Sequence, residues 1–308
     1  MFQNRINSEE YPFQHQFFEH KMQQLHFVDE GEGPAIIFVH GTPTWSFLYR
    51  HHIKALSQNY RCIAMDNLGF GLSQKEGTQA TSIKEHSENL MALVDHLGLK
   101  DFHLVVHDFG GPIGLGMALR YPEKVKSITL FNTWLWATNM DPKVQKVDKF
   151  LKGPFGKWLY LVLNFSVKVL LKMGFSDKKK LSKSAYQHYT MPFPTKASRL
   201  SLYQIGLNLF GASDWYNQLN EQLAVLDHCP FLVLWGQKDQ FIDLEALQRW
   251  KNTLVHKEVH LLDCGHFVQE EQPKQSIQLL ERFLLRLNQI STPSVEHENN
   301  KYEDRNMV

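Results

Sequence analysis

The stretch Leu104-Val105-Val106-His107-Asp108-Phe109-Gly110-Gly111 limits what this chain can become more than any other. An apolar run of β type stops at an aspartate, and two glycines then open a helical pattern over Pro112–Arg120. A strand without a polar face is covered on both sides, as in a parallel sheet. A helix starting two residues later must fold back closely on it, and glycine permits that approach. Such a turn lifts its central side chain above the sheet edge and sets helix N–H groups beneath it. The side chain lifted here is a carboxylate. With an ordinary pKa of about 3.9 it is ionised near neutrality and needs no base to attack. Attack on carbon leaves an ester that water can open, whereas a serine attacking saturated carbon would leave an ether, a dead end.

The same alternation runs through much of the chain. Strand patterns fall at Gln24–Asp29, Ala35–Val39, Arg61–Ala64, His103–Val106, Ser127–Phe131, Phe231–Trp235 and Val259–Leu262. Helical patterns fall at Ile83–Leu97, Pro112–Arg120, Leu244–Thr253 and Gln275–Leu287. This predicts an α/β fold, a mostly parallel central sheet with helices on both faces, whose chemistry gathers at the C-terminal strand ends. Between Trp134 and about Trp215 the pattern is aromatic and helix-prone, without clear strands. It reads as an inserted helical cap over 135–216, leaving a core of 1–134 and 217–290. From 291 to 308 the sequence is polar and charged and reads as a disordered tail.

With 43% hydrophobic residues in 308, a large core is feasible, and Lys+Arg 33 against Asp+Glu 32 gives no global basic excess that would favour nucleic acid or an anionic membrane. Cys62, Cys229 and Cys264 are far apart, without metal-ligand spacing, and read as buried free thiols of a reducing cytoplasm. His51-His52 and Glu296-His297-Glu298 also lack ligand spacing and read as solvated surface, so neither metal nor cofactor is expected. The glycines from Gly110 to Gly116 lack the Lys-Ser/Thr of a phosphate loop. The N-terminus lacks the apolar core of a secretory signal. The apolar stretch 157–173 is interrupted by Lys168 and Lys172 at i,i+4 spacing, which suits an amphipathic helix rather than a membrane span. It serves as a pocket lid or as a membrane-surface helix. The expected partners are a small hydrophobic substrate and water; the oligomeric state is open.

Two further acid–base residues follow predicted strands. Asp239 comes after Leu232–Lys238, and His266 after Leu261–Gly265. Asp108, Asp239 and His266 then stand in the order nucleophile, acid, histidine, in which strand-end triads occur. Each aspartate alone is also an ordinary turn former. In the joint reading, His266 deprotonates the water that opens the Asp108 ester, and Asp239 orients His266. Phe38-Val39-His40-Gly41-Thr42-Pro43 follows an early strand where an oxyanion loop belongs. The backbone N–H groups of Thr42 and Phe109 are its candidate donors. Pro43 admits either a cis or a trans preceding bond.

These motifs resemble the haloalkane dehalogenase group of α/β-hydrolases over roughly Tyr11 to Leu287. His40–Arg50, Asp66–Ser73, His107–Gly111 and Cys264–Phe267 carry the likeness. Asp239 matches members whose acid follows the penultimate strand; the other family position shows Asn132-Thr133-Trp134. The cap is similar to that of the subgroup containing β-lactone decarboxylases of bacterial olefin synthesis. The resemblance implies an aspartyl-ester hydrolase without cofactor. It also implies a halide grip from a Trp after the nucleophile and an Asn in the His-Gly loop, where this chain has Phe109 and Thr42. Trp134, Trp136 or Trp158 supplies the missing N–H or simply packs. Epoxide hydrolases share the nucleophile and protonate the ring with cap tyrosines. Asp214-Trp215-Tyr216-Asn217 resembles the stretch bearing one of these, with Tyr160, Tyr186, Tyr189 or Tyr203 as partner. Trp134, Trp136 and Tyr216 are thus the candidate substrate contacts. A non-catalytic ligand receptor on the same fold is the rival from another class.

Overall fold

The computed structural model describes residues 5–75 and 82–291. Its strands are β1 (Gln16–His20), β2 (Gln23–Glu30), β3 (Ala35–Val39), β4 (Arg61–Met65), β5 (Phe102–His107), β6 (Val125–Phe131), β7 (Phe231–Gly236) and β8 (Lys257–Leu262). They form one sheet in the order β1-β2-β4-β3-β5-β6-β7-β8. The first two pairs, β1–β2 and β2–β4, are antiparallel, and every later pair is parallel. Each residue of β3, β5 and β7 is buried, as uninterrupted apolar runs require when both faces are covered. The edge strands β1 and β8 bury one residue each and carry polar residues outward.

The sheet is an α/β fold with helices packed against it, as the alternation predicts. The helices of its first half are α1 (Arg50–Leu56), α2 (Ile83–His96) and α3 (Gly110–Ala118). A capping box starts α2: the Glu85 N–H donates to Ser82 Oγ at 3.2 Å, and the Ser82 N–H to the Glu85 carboxylate at 2.7 Å. Between β6 and β7 the chain forms α4 (Pro142–Lys152), α5 (Pro154–Leu163), α6 (Leu171–Met173), α7 (Lys183–Thr190), α8 (Leu200–Gly211) and α9 (Ser213–Glu221). After β7 come α10 (Leu244–Thr253), α11 (Val268–Glu271) and α12 (Pro273–Ser291). α1 packs on α12 and α2 on α3, joining the helices that cover the sheet.

Several boundaries differ from the sequence reading for physical reasons. β1 is an extra strand: of its five residues only Phe18 is buried, so it lacks an apolar signature and is held by pairing with β2. α3 starts two residues before Pro112, because the glycines are its first turn and not a preceding loop. A core boundary at 216/217 falls inside α9. His52 is not solvated: it is fully buried, with Nε2 at 3.1 Å from the Ser276 hydroxyl between α1 and α12. The three cysteines are buried and unpaired. Apart from Ser291, which ends α12, the expected tail lies outside the described residues, as does Glu296-His297-Glu298.

Candidate active site

Because β3 to β8 run parallel, the residues just beyond β3, β5, β6, β7 and β8 meet at one sheet edge. Asp108 follows β5 directly and takes a φ of +54°, in the left-handed region that a branched residue avoids. Its own backbone is pinned from three sides. The Asp108 N–H donates to the Asn132 carbonyl at 3.1 Å, while the Gly111 N–H and the Thr133 hydroxyl donate to the Asp108 carbonyl at 2.9 and 2.6 Å. Strain persists only where surroundings overdetermine it, and here they do.

The Thr42 N–H donates to Asp108 Oδ1 at 2.8 Å. A Cβ at Gly41 would collide with the Asp108 carboxylate, so the loop after β3 can close over it only with glycine there. The Thr42–Pro43 bond in that loop is cis. His40 braces the loop, its Nδ1 donating to the Gly41 carbonyl at 2.8 Å and its Nε2 accepting the Asn67 N–H at 2.9 Å. Burial lowers the His40 pKa and so keeps it in this neutral, donor-and-acceptor form. Asp66, fully buried beside Asn67, accepts from the Ser46 N–H at 2.8 Å, the Leu72 N–H at 2.7 Å and His26 Nδ1 at 2.7 Å.

His266 lies in the loop after β8. Its Nδ1 is 2.7 Å from Asp239 Oδ2, and its Nε2 is 3.5 Å from Asp108 Oδ2. The Asp239 carboxylate is held in turn by the Asn132 side-chain amide at 2.8 Å and the Phe241 N–H at 2.7 Å. The His266 backbone is fixed by donating to the Gly174 carbonyl at 2.7 Å and by accepting from His107 Nε2 at 3.0 Å. Burial alone would lower the His266 pKa, but the Asp239 charge, with the hydrogen bonds to Asp108 and Asp239, raises it well above the ordinary range. For Asp108, burial acts upward, yet the hydrogen bond and charge of His266 hold the carboxyl below its ordinary value.

Two of the three expected substrate contacts come to this edge. The Phe109 ring meets Trp134 edge-on at 4.9 Å, and Trp134 meets Tyr216 edge-on at 5.8 Å. Trp134 Nε1 and Thr42 Oγ1 are both buried without a hydrogen-bond partner among the described residues. Trp136 is elsewhere: it packs on Trp250 at 5.5 Å beneath the Arg249 guanidinium. Trp158 is 46% exposed and stands at the surface. The Tyr216 hydroxyl donates to the Asn208 carbonyl at 2.9 Å, the Tyr203 hydroxyl to the Leu151 carbonyl at 3.0 Å, and the Tyr189 hydroxyl to Glu270.

A family model described as alpha/beta hydrolase fold matches residues 34–273, a span containing Asp108, Asp239, His266 and the Thr42 loop. The chain belongs to the α/β-hydrolase fold family. This α/β-hydrolase is 34% identical to haloalkane dehalogenase 2 of Mycobacterium tuberculosis over 277 residues, covering 89% of this chain and 96% of that one. It is 30% identical to cis-3-alkyl-4-alkyloxetan-2-one decarboxylase of Shewanella oneidensis over 301 residues, covering 91% of each. Among solved structures, haloalkane dehalogenase DatA from Agrobacterium tumefaciens C58 superposes with a TM-score of 0.80 at 28% identity, over 89% of this chain and 97% of that one.

The residues that brace the α/β-hydrolase site were largely hidden in the sequence. Asn132 and Thr133 had one usable signal, since they directly follow a buried strand at the edge where Asp108 emerges. His107 and Gly174 had none: one is a polar residue ending an apolar strand, the other a backbone carbonyl distant in sequence.

Proposed function

We propose that this protein hydrolyses a small hydrophobic electrophile through an ester on Asp108, as a haloalkane dehalogenase-like enzyme. The observation that carries the reading is the division of labour between the two Asp108 oxygens. Oδ1 accepts the Thr42 N–H, and Oδ2 is turned toward His266. Oδ2 attacks the electrophilic carbon, whose bond to the leaving group breaks with its electron pair on that group. Oδ1 becomes the ester carbonyl oxygen.

A water then attacks the Asp108 carboxyl carbon and gives its proton to His266 Nε2. The charge that forms on Oδ1 is held by the Thr42 and Phe109 N–H groups, each worth about 3–4 kcal/mol when well placed. Collapse expels the alcohol oxygen, which recovers the proton from His266; the Asp108 carboxylic acid left behind loses the water's second proton to solvent and is an ionised nucleophile again. Asp239 keeps the His266 ring oriented and balances its cation. The raised His266 pKa fits this order of events. Esterification removes the Asp108 charge, one cause of that rise beside the larger one of Asp239, so His266 gives up its proton more readily once the ester exists.

For the leaving group, Trp134 Nε1, on the ring that meets Phe109, and Thr42 Oγ1 are the candidate donors, both buried and unpartnered among the described residues. Both suit a group departing as an anion. A halide fits, and so does the carboxylate of a strained four-membered lactone, the ring in the name of the Shewanella relative. Opening an epoxide with Tyr216 as the acid is less well supported, because its hydroxyl donates to the Asn208 carbonyl, and of its candidate partners Tyr203 and Tyr189 also donate elsewhere, leaving Tyr160 and Tyr186. The segment 135–216, which carries helices α4 to α8 and the start of α9, serves as the cap over this edge. The buried thiols suit a reducing compartment such as the cytoplasm.

The test is a panel of haloalkanes, β-lactones, epoxides and activated esters with the wild type, Asp108→Ala and His266→Ala. His266→Ala should gain the substrate's alkyl mass on Asp108, and Asp108→Ala should gain none. A His266→Ala protein that never gains mass from any substrate the wild type turns over rejects the ester route. Binding without turnover across the panel would favour the receptor reading.

A further inference from the structure

We infer that the surface formed by α4 and α5 docks on anionic lipid headgroups. The inference is independent of the leaving group and of the ester mechanism. α5 reads Pro-Phe-Gly-Lys-Trp-Leu-Tyr-Leu-Val-Leu, yet it buries only Gly156 and Tyr160. Phe155 is 63% exposed, Trp158 46% and Leu163 42%. The exposed rings are one cluster, not scattered residues: Phe155 stacks on Trp158 at 6.1 Å and meets Phe150 of α4 edge-on at 6.3 Å. A nearly all-apolar helix showing this much of itself to water calls for a partner.

Charge identifies the partner. Residues 135–216 hold twelve lysines and Arg199 against four aspartates, although the whole chain is only +1. Lys146, Lys149 and Lys157 are exposed on the two helices that carry the aromatic cluster. Aromatic and aliphatic side chains flanked by lysines are what a helix needs to lie in a membrane interface, its apolar side in the acyl boundary and its ammonium groups among anionic headgroups. A second copy fits less well, because a two-fold contact through α5 would bring the lysine-rich surface against itself. The contact is peripheral: among the described residues, no helix is long and apolar enough to cross a membrane.

The test is co-sedimentation of the full chain with phosphatidylcholine vesicles, with and without phosphatidylglycerol, at low and high salt. Partition should be at least tenfold stronger onto the anionic vesicles and should weaken with salt. Lys146→Glu with Lys149→Glu should lower it roughly tenfold or more. Phe155→Ser with Trp158→Ser should lower it similarly, with the thermal unfolding of each variant monitored to verify folding. Acyl chains carrying bromine should quench part of the tryptophan emission of the wild type and less in Trp158→Phe. Absence of partition onto either vesicle overturns the inference. So does partition indifferent to both double variants, or a dimer dissolved by Trp158→Ser in a chain that ignores vesicles.

Discussion

The side-chain amide of Asn132 donates to Asp239 Oδ2, the same oxygen that pairs with His266 Nδ1. Asn132 follows β6 and Asp239 follows β7, so one amide ties the acid to the neighbouring strand. The same side chain also bonds the Gly236 N–H at 2.8 Å and the Gly236 carbonyl at 3.2 Å. Asn132→Ala should therefore cost about 1–3 kcal/mol of stability from the buried Gly236 groups alone. It should also lower kcat by loosening Asp239. Asp239→Asn should lower kcat about a hundredfold or more, as loss of acid–base support does. Adding Asn132→Asp to Asp239→Asn returns a carboxylate beside the same oxygen position and should recover part of the loss. If the double variant is no more active than Asp239→Asn, the two positions do not share the His266 ring.

The pH dependence follows from opposite shifts at two groups. Asp108 is held below the ordinary carboxyl value, so it stays ionised and able to attack well into acid. In the ester the Asp108 charge is gone, but Asp239 still favours the His266 cation, so as pH falls His266 is the first of the two to become unavailable for its step. Ester formation should thus outlast ester hydrolysis on the acid side. Rapid-quench mass spectrometry should find the alkylated fraction growing as pH is lowered, while kcat falls. An alkylated fraction that shrinks in step with kcat would place the acid limb on Asp108 instead.

The positions of Asp108, Asp239 and His266 were legible because each follows an apolar strand run whose end can be read without knowing the fold. The loop after β3 that closes on Asp108 was legible through its glycine and proline. The brace around them was not, since it consists of backbone carbonyls and short polar side chains that no periodicity distinguishes. The Gly174 carbonyl under His266 belongs to a helical segment whose contacts depend on tertiary packing. Trp136 shows the converse. Like Trp134 it stood as a candidate N–H donor, yet the two rings pack on different neighbours. β1 escaped notice because pairing, not hydrophobicity, holds an edge strand.

A second buried charge group ties the segment after β6 to the rest of the molecule. The Arg50 guanidinium grips both oxygens of Glu270, which also accepts from the Tyr189 hydroxyl of α7. Arg50 and Glu270 are buried, so Glu270→Gln leaves the guanidinium with only the half-buried Glu10 carboxylate, 3.7 Å from Nε, and should cost about 3 kcal/mol. Tyr189→Phe removes one hydrogen bond and should cost nearer 1 kcal/mol. Burial acts to raise the Glu270 pKa, but Arg50 lowers it below the ordinary value in the folded state. Its contribution is therefore complete above the unfolded glutamate value and disappears as pH falls through the folded one. Urea unfolding should show the wild type losing more stability than Glu270→Gln between neutral and acid pH.

Trp134 separates stability from activity. Its indole N–H is buried without a partner, a state that burdens the fold rather than supporting it. Trp134→Phe removes the N–H, keeps an aromatic ring against Phe109 and Tyr216, and leaves a modest gap. If the N–H grips the departing anion, the substitution should slow ester formation about 10- to 100-fold, the range of one hydrogen bond to a charged group. Hydrolysis of an ester already formed should continue at its former rate, because Thr42 and Phe109 serve that step. Unfolding stability should change little, the lost packing being offset by removal of the unpaired group. Phe109→Trp, which adds an N–H beside Asp108, should compensate in the Trp134→Phe background if the larger ring is accommodated. Equal loss of both steps, or loss of stability without loss of ester formation, would return Trp134 to the role of packing alone.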